Sequence, residues 1–107
     1  MTNSKDKGAR FEREIANALK EYGYDARRTA QYCGNTGDAS DVVGVPGFHI
    51  ECKHQEKMHL YDWMEQAVRD SATTGETPIV IHKQNRKDTL VTMRFEDFMD
   101  VIKKASK

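Results

Sequence analysis

At 107 residues the chain has room for one domain with a modest core. Its 17 Lys and Arg are matched by 17 Asp and Glu, so it is no uniformly basic nucleic-acid binder; any phosphate contact must come from local basic patches. It has no apolar run long enough for a membrane span, no signal-peptide pattern at its start, and two cysteines, Cys33 and Cys52, too few for a disulfide framework, so a reducing cytoplasm is expected.

Helical periodicity predicts a first helix over residues 5–22. Phe11, Ile15, Leu19 and Tyr22 share one face, and Gly23 is its stop. Gly8 lacks a Cβ, which leaves the helix surface open to a close approach there. Residues 24–29 read as a short strand. Arg27 and Arg28 alternate there, so only one of them faces a given side. Residues 30–39, with Gly34, Asn35 and Gly37, read as a loop able to close over substrate. Asp38 is an acidic candidate within that loop, and Cys33 is a loop residue.

Residues 40–53, S-D-V-V-G-V-P-G-F-H-I-E-C-K, carry the most information. Two short apolar arms flank Val45-Pro46-Gly47, the pattern of a β-hairpin. In the second arm Phe48, Ile50 and Cys52 alternate with His49, Glu51 and Lys53, so Glu51 and Lys53 share a face. The turn folds Asp41 back beside Glu51. Two carboxylates and one ammonium then converge on one patch. Divalent-metal phosphodiester hydrolysis needs such a set: hard oxygen ligands for Mg²⁺, and a lysine to orient water or offset phosphate charge.

A polar link at residues 54–57 leads to a second helix over residues 59–73, with Leu60, Met64, Ala67 and Val68 on its apolar face and Gly75 at its end. Tyr61 and Trp63 read as packing residues. Gln66 and Asp70 share a different face of this helix. Residues 78–83 and 89–94 form a second hairpin with Lys83, Arg86 and Lys87 at its tip, a candidate phosphate contact. A closing helix over residues 95–105 turns Phe98, Met99 and Ile102 inward. Its Lys103 and Lys104, with Lys107 beyond, lie near the negative end of its dipole.

Asp41 followed by Glu51-Cys52-Lys53 resembles the D-(x)n-E-x-K core of the PD-(D/E)XK nuclease superfamily. The bare pattern would also suit a solvated hairpin. The first helix adds specificity. Its Lys7-Gly8-Ala9-Arg10-Phe11-Glu12-Arg13-Glu14 resembles the K-G-x-x-x-E-R-E opening of archaeal-type Holliday junction resolvases and similar phage nucleases. The resemblance spans the chain and is most specific from Lys7 to Lys53. It implies a catalytic role for Glu12, a site-facing arginine for which Arg28 fits better than Arg27, and a supporting or DNA-contacting Gln66.

The expected fold is α/β: one domain over residues 1–107, a mixed sheet flanked by helices in the order αβββαββα, the restriction-endonuclease-like core. The expected activity is Mg²⁺-dependent endonucleolytic cleavage of DNA, of branched junctions in the first instance, with Mn²⁺ as a substitute. Asp41, Glu51 and the Cys52 carbonyl are the expected metal ligands, joined by Glu12; Lys53 positions the attacking water. Lys7, Gly8, Arg10, Arg28, Gln66, Lys83, Arg86 and Lys87 are the expected DNA contacts. A homodimer is expected, because a junction is cut on two strands and one domain has one acidic cluster. Apolar area on the second helix (Tyr61, Trp63, Met64) is offered for the interface. Two other readings stay open: a nuclease acting on other DNA structures or sequences, and a non-catalytic DNA-binding module of the same fold.

Overall fold

The computed structural model of the chain describes residues 4–29 and 40–106. The elements run α1 (Ser4–Glu21), β1 (Arg27–Arg28), β2 (Val42–Val43), β3 (Phe48–His54), α2 (Leu60–Ser71), β4 (Thr77–Lys83), β5 (Leu90–Met93) and α3 (Phe95–Ala105). The expected order is therefore observed. The loop features around Cys33, Gly34, Asn35, Gly37 and Asp38 lie outside the described residues.

The five strands are ordered β1-β2-β3-β4-β5. Only β3 and β4 are parallel, and α2 makes the crossover between them. Both strands are buried on both faces, as crossover strands covered by helices must be. Ile50, Cys52, Ile79 and Ile81 face α1 and join Phe11, Ile15 and Ala16 in the main core. On the other face Val80 meets Trp63 and Ala67 of α2. That second face also buries His49, Glu51 and His82.

Two backbone devices place the strands. Helix α1 ends with Gly23 at φ 100°, where the Gly23 N–H donates to the Lys20 carbonyl and the Tyr24 N–H to the Leu19 carbonyl. This left-handed cap reverses the chain toward β1. In the hairpin, the Phe48 N–H closes the Val45-Pro46-Gly47 turn onto the Val45 carbonyl at 3.2 Å, with Gly47 at φ 88°. Gly44, at φ 111°, is confined as well: a Cβ there would lie 2.2 Å from the Asp25 carbonyl oxygen. Only glycine lets β2 approach the segment before β1 so closely.

Three expectations need correction. Tyr22 is 83% exposed, because α1 ends at Glu21 and Tyr22 falls in the turn beyond it, while Leu19 still packs on the core. Trp63 is not available surface: it packs over Val80, and only Tyr61 of the two aromatics projects outward. Helix α3 does not close the core. None of its residues is buried, and Phe98 and Ile102, expected inward, stay exposed while Met99 is half-buried. Its apolar stripe is real, but among the described residues no face of the domain receives it.

Candidate active site

A cleft of about 730 Å³ opens between the start of α1, the β2–β3 hairpin and α2. Glu12, Arg28, Asp41, Glu51, Cys52, Lys53 and Gln66 all line it, and so does Gly8. Residues far apart in sequence are thus gathered by α1, β1, the β2–β3 hairpin and α2, each for a local reason.

Asp41 comes first. Its N–H donates to the Ile50 carbonyl at 2.8 Å and its carbonyl accepts from the Thr29 N–H at 3.0 Å, so the backbone is pinned between β1 and β3. The adjacent Thr29 hydroxyl donates to the Ser40 carbonyl. The Asp41 side chain then accepts the Cys52 N–H at 2.9 Å. The hairpin does what its sequence suggests, bringing Asp41 to the Glu51-Cys52-Lys53 end of β3.

Burial, followed by repulsion from Glu51, pushes the Asp41 carboxyl up to about 7. Glu12 adds to the rise, while the Cys52 N–H and Lys53 oppose it. Burial also raises the Cys52 thiol, helped by Asp41, Glu12 and Glu51, so Cys52 is an inert thiol whose contribution is its backbone. The cleft holds more negative charge than its own cations neutralise.

Glu12 is buried on the first turns of α1, where it accepts the Arg28 Nε–H at 2.8 Å. Arg28, rather than Arg27, therefore faces the site. Arg27 is exposed in a separate depression bordered by Gly44 and Pro46.

Glu51 is held by residues the sequence pattern did not single out. Its Oε2 accepts from His49 Nε2 at 2.7 Å, and His49 Nδ1 pairs with the Ser40 hydroxyl at 3.0 Å. A carboxylate can only accept, so Nε2 is the donor; a neutral ring takes the Ser40 proton at Nδ1. Burial works against a charged His49, but the hydrogen bond and charge of Glu51, with Asp70 and Glu76 beyond, leave its pKa raised overall. His49 and Glu51 stand two residues apart on one strand face, which is the signal that pairs them.

Among the described residues, the trio that converges most tightly on a point is His49, Glu51 and Asp70, with ligand atoms within 4.8 Å of one another. Its histidine nitrogens are already committed to Ser40 and Glu51. Glu12, Asp41 and Glu51 instead line the cleft as separate carboxylates. Their donor set, hard oxygens short of positive charge, suits a cation such as Mg²⁺ or Mn²⁺.

The remaining candidates fall in two groups. Lys7 and Arg10 do not line the cleft, whereas Lys5, unnoticed in the sequence, does. Lys83, Arg86 and Lys87 also stand apart. Their hairpin is tied back to the link after β3: the Asn85 N–H donates to Glu56 Oε2 at 2.7 Å, and His54 Nε2 pairs with Asn85 Oδ1 at 3.0 Å. Lys83 is the register partner of His54, which lines the cleft, so this basic tip sits at the same end of the sheet as the site. No described helix is long and apolar enough to cross a membrane.

Comparison with known proteins agrees with this geometry. The sequence matches the family described as "Phage putative PDDEXK endonuclease" over residues 3–107. No curated protein matches it. Among solved structures it is similar to Hjc of Archaeoglobus fulgidus, a Holliday junction resolvase from an archaeal hyperthermophile. The TM-score is 0.63 and the identity 26%, over 80% of this chain and 76% of that one. The shared core is the restriction-endonuclease-like mixed sheet. With a family match over nearly its whole length, the chain belongs to the phage PDDEXK endonuclease family.

Proposed function

We propose that this protein is a divalent-metal-dependent DNA endonuclease acting on branched DNA, four-way junctions above all, in the cytoplasm of a bacterial, archaeal or phage-infected cell. The observation that carries the reading is the acidic cleft itself. Glu12, Asp41 and Glu51 line it with Lys53 beside them, and Asp41 is pushed up to about 7 by burial first and then by repulsion from Glu51 and Glu12. Surface carboxylates have no reason to be packed so closely against burial and each other. The similarity to a Holliday junction resolvase supports the choice of branched DNA.

Asp41 and Glu51, with the Cys52 carbonyl, would hold Mg²⁺, and Glu12 completes the set; Mn²⁺ fits the same oxygens. When bound, the ion acidifies its water and offsets charge on the phosphate. The chain's own groups do the rest. The Cys52 N–H holds Asp41 and His49 holds Glu51, so both carboxylates are oriented before substrate arrives. Lys53 orients the attacking water and donates to the phosphate oxygen. Arg28 pairs with Glu12 and offers its remaining N–H groups to the DNA backbone. Gln66 reaches the cleft from α2, and Gly8 leaves the α1 side open to a close backbone. Lys7, Arg10, Lys83, Arg86 and Lys87 would track phosphates outside the cleft. Symmetric incision of two strands needs two such clefts, so the working unit is a homodimer.

A cleavage panel of four-way junction, flap, single strand and linear duplex tests this. Paired, Mg²⁺-dependent cuts in the junction are expected. Cleavage confined to linear duplex would leave a nuclease with another substrate. DNA binding with no cleavage in Mg²⁺ or Mn²⁺ would leave only a binding module.

A further inference from the structure

We infer that α3, with the groove between α2 and β5, is the surface on which a second copy of this chain docks, the two α3 helices lying antiparallel. The inference rests on the homodimeric reading above and adds the face that pairs.

Helix α3 repeats apolar residues at Phe95, Phe98, Ile102 and Ala105, the three-and-four spacing of a helix seam, widened by Met99 and Val101. Yet it buries none of them: Phe95 is 77% exposed, Phe98 46%, Val101 38% and Ile102 38%. Beside it lies an open groove of about 720 Å³, lined chiefly by Leu60, Tyr61, Met64, Val68, Met93 and Phe95. Tyr61 is 86% exposed on its rim, and Leu90 of the edge strand β5 is 56% exposed. An apolar edge strand left open is a liability for aggregation. At about 200 Å² per aromatic, these exposed side chains amount to roughly 600 Å² of apolar surface. That approaches the ~800 Å² per partner of a standard interface.

The charge pattern says what covers it. Glu96 and Asp97 lie in the first turn of α3, and Lys103 and Lys104 in the last. Each acid stands seven residues before a lysine, two helical turns away on the same flank. Turned antiparallel on itself, the helix sets Glu96 against the copy's Lys103 and Lys103 against the copy's Glu96, about one twofold axis. Asp97 is partly committed to Arg94 at 2.8 Å, so the Glu96–Lys103 pairs carry the register. An apolar lining flanked by balanced charge suits another copy and not a phosphate backbone. The position also suits the chemistry. β5 is the sheet edge opposite β1, two strands from β3, so a dimer built there leaves both acidic clefts open.

Sedimentation at micromolar concentration reads the outcome directly. The parent is expected at twice 12.3 kDa. Phe98→Asp and Ile102→Asp change exposed helix positions, so circular dichroism should be unaltered while the species becomes monomeric. On a junction they should nick single strands but lose paired cuts. Lys103→Glu should weaken the dimer at low salt by about fivefold, as exposed pairs do. Adding Glu96→Lys to it should restore the affinity. A dimeric parent that stays dimeric with both Asp substitutions overturns this surface but not the dimer. Dimer loss with the Asp variants but no rescue by the charge exchange overturns the antiparallel register. A parent that remains monomeric with junction DNA overturns the inference together with the dimeric reading, and leaves a different protein as the occupant.

Discussion

Asp41→Asn should make the metal-free protein more stable and its cation-bound form less so. Asparagine keeps an oxygen for the Cys52 N–H but removes a charge crowded by Glu51 and Glu12. The carboxyl moves from an ordinary 3.8 to about 7, and three such units correspond to about 4 kcal/mol at full ionisation. The cleft is open to solvent, so screening reduces this to about 2 kcal/mol. The sign follows from proton linkage. A carboxyl raised in the folded state favours folding fully below pH 3.8, and that contribution is lost as pH climbs to about 7. Parent and variant should therefore melt alike near pH 3.5. By pH 8 the variant should melt about 10 °C higher in EDTA. Mg²⁺ at a hundredfold excess over its Kd should then return about 2.7 kcal/mol to the parent and nothing to the variant. Differential scanning calorimetry at both pH values, with EDTA and with Mg²⁺, reads all of this. A variant no more stable than the parent at pH 8, or an offset that ignores pH, would refute the account of the cleft as a charge-frustrated cation site.

Other perturbations separate the roles of the remaining groups. Lys53→Ala should lower cleavage by roughly 10²- to 10³-fold while calorimetry shows Mg²⁺ binding unchanged, because the lysine acts on charge that develops in the transition state. Mg²⁺ or Mn²⁺ should support cleavage, and Ca²⁺, with longer bonds and looser geometry, should bind without supporting it; full activity in EDTA would contradict the oxygen-ligand assignment. His49→Ala should cost about 2 kcal/mol in urea denaturation by stranding Glu51 inside the fold, with Ser40→Ala costing less. Equal stability of the His49 variant and parent would deny that Glu51 depends on it.

Much of the site was legible because it is local. The Pro46-Gly47 turn and strand alternation suffice to bring Asp41 to Glu51 and Lys53. Glu12 and Arg28 required the resemblance, since nothing in their own spacing says that α1 crosses β1 at that point. His49 was readable only in hindsight. It lies two residues from Glu51, but a histidine on a strand does not reveal that the face beneath α2 is polar at that position. Helix α3 was misread for a physical reason. An amphipathic stripe states that a helix needs an apolar neighbour, not which molecule provides it. Of the basic residues expected on α1, Lys7 and Arg10 lie outside the cleft, because the helix presents Lys5, Gly8 and Glu12 to it.

The amide of Cys52 offers a view of the site that needs no substrate. Strands β1 and β2 have two residues each, while β3 and β4 pair over seven positions in parallel register. Asp41 thus hangs from a lightly tied margin, with its side chain anchored to the most heavily protected strand. Local opening of that margin should be far cheaper than global unfolding. The Cys52 N–H is released when the Asp41 side chain lets go. Its hydrogen exchange should therefore be much faster than that of its strand neighbours, and should slow when a cation locks Asp41 in place. A single amide would then report how often the cleft comes apart.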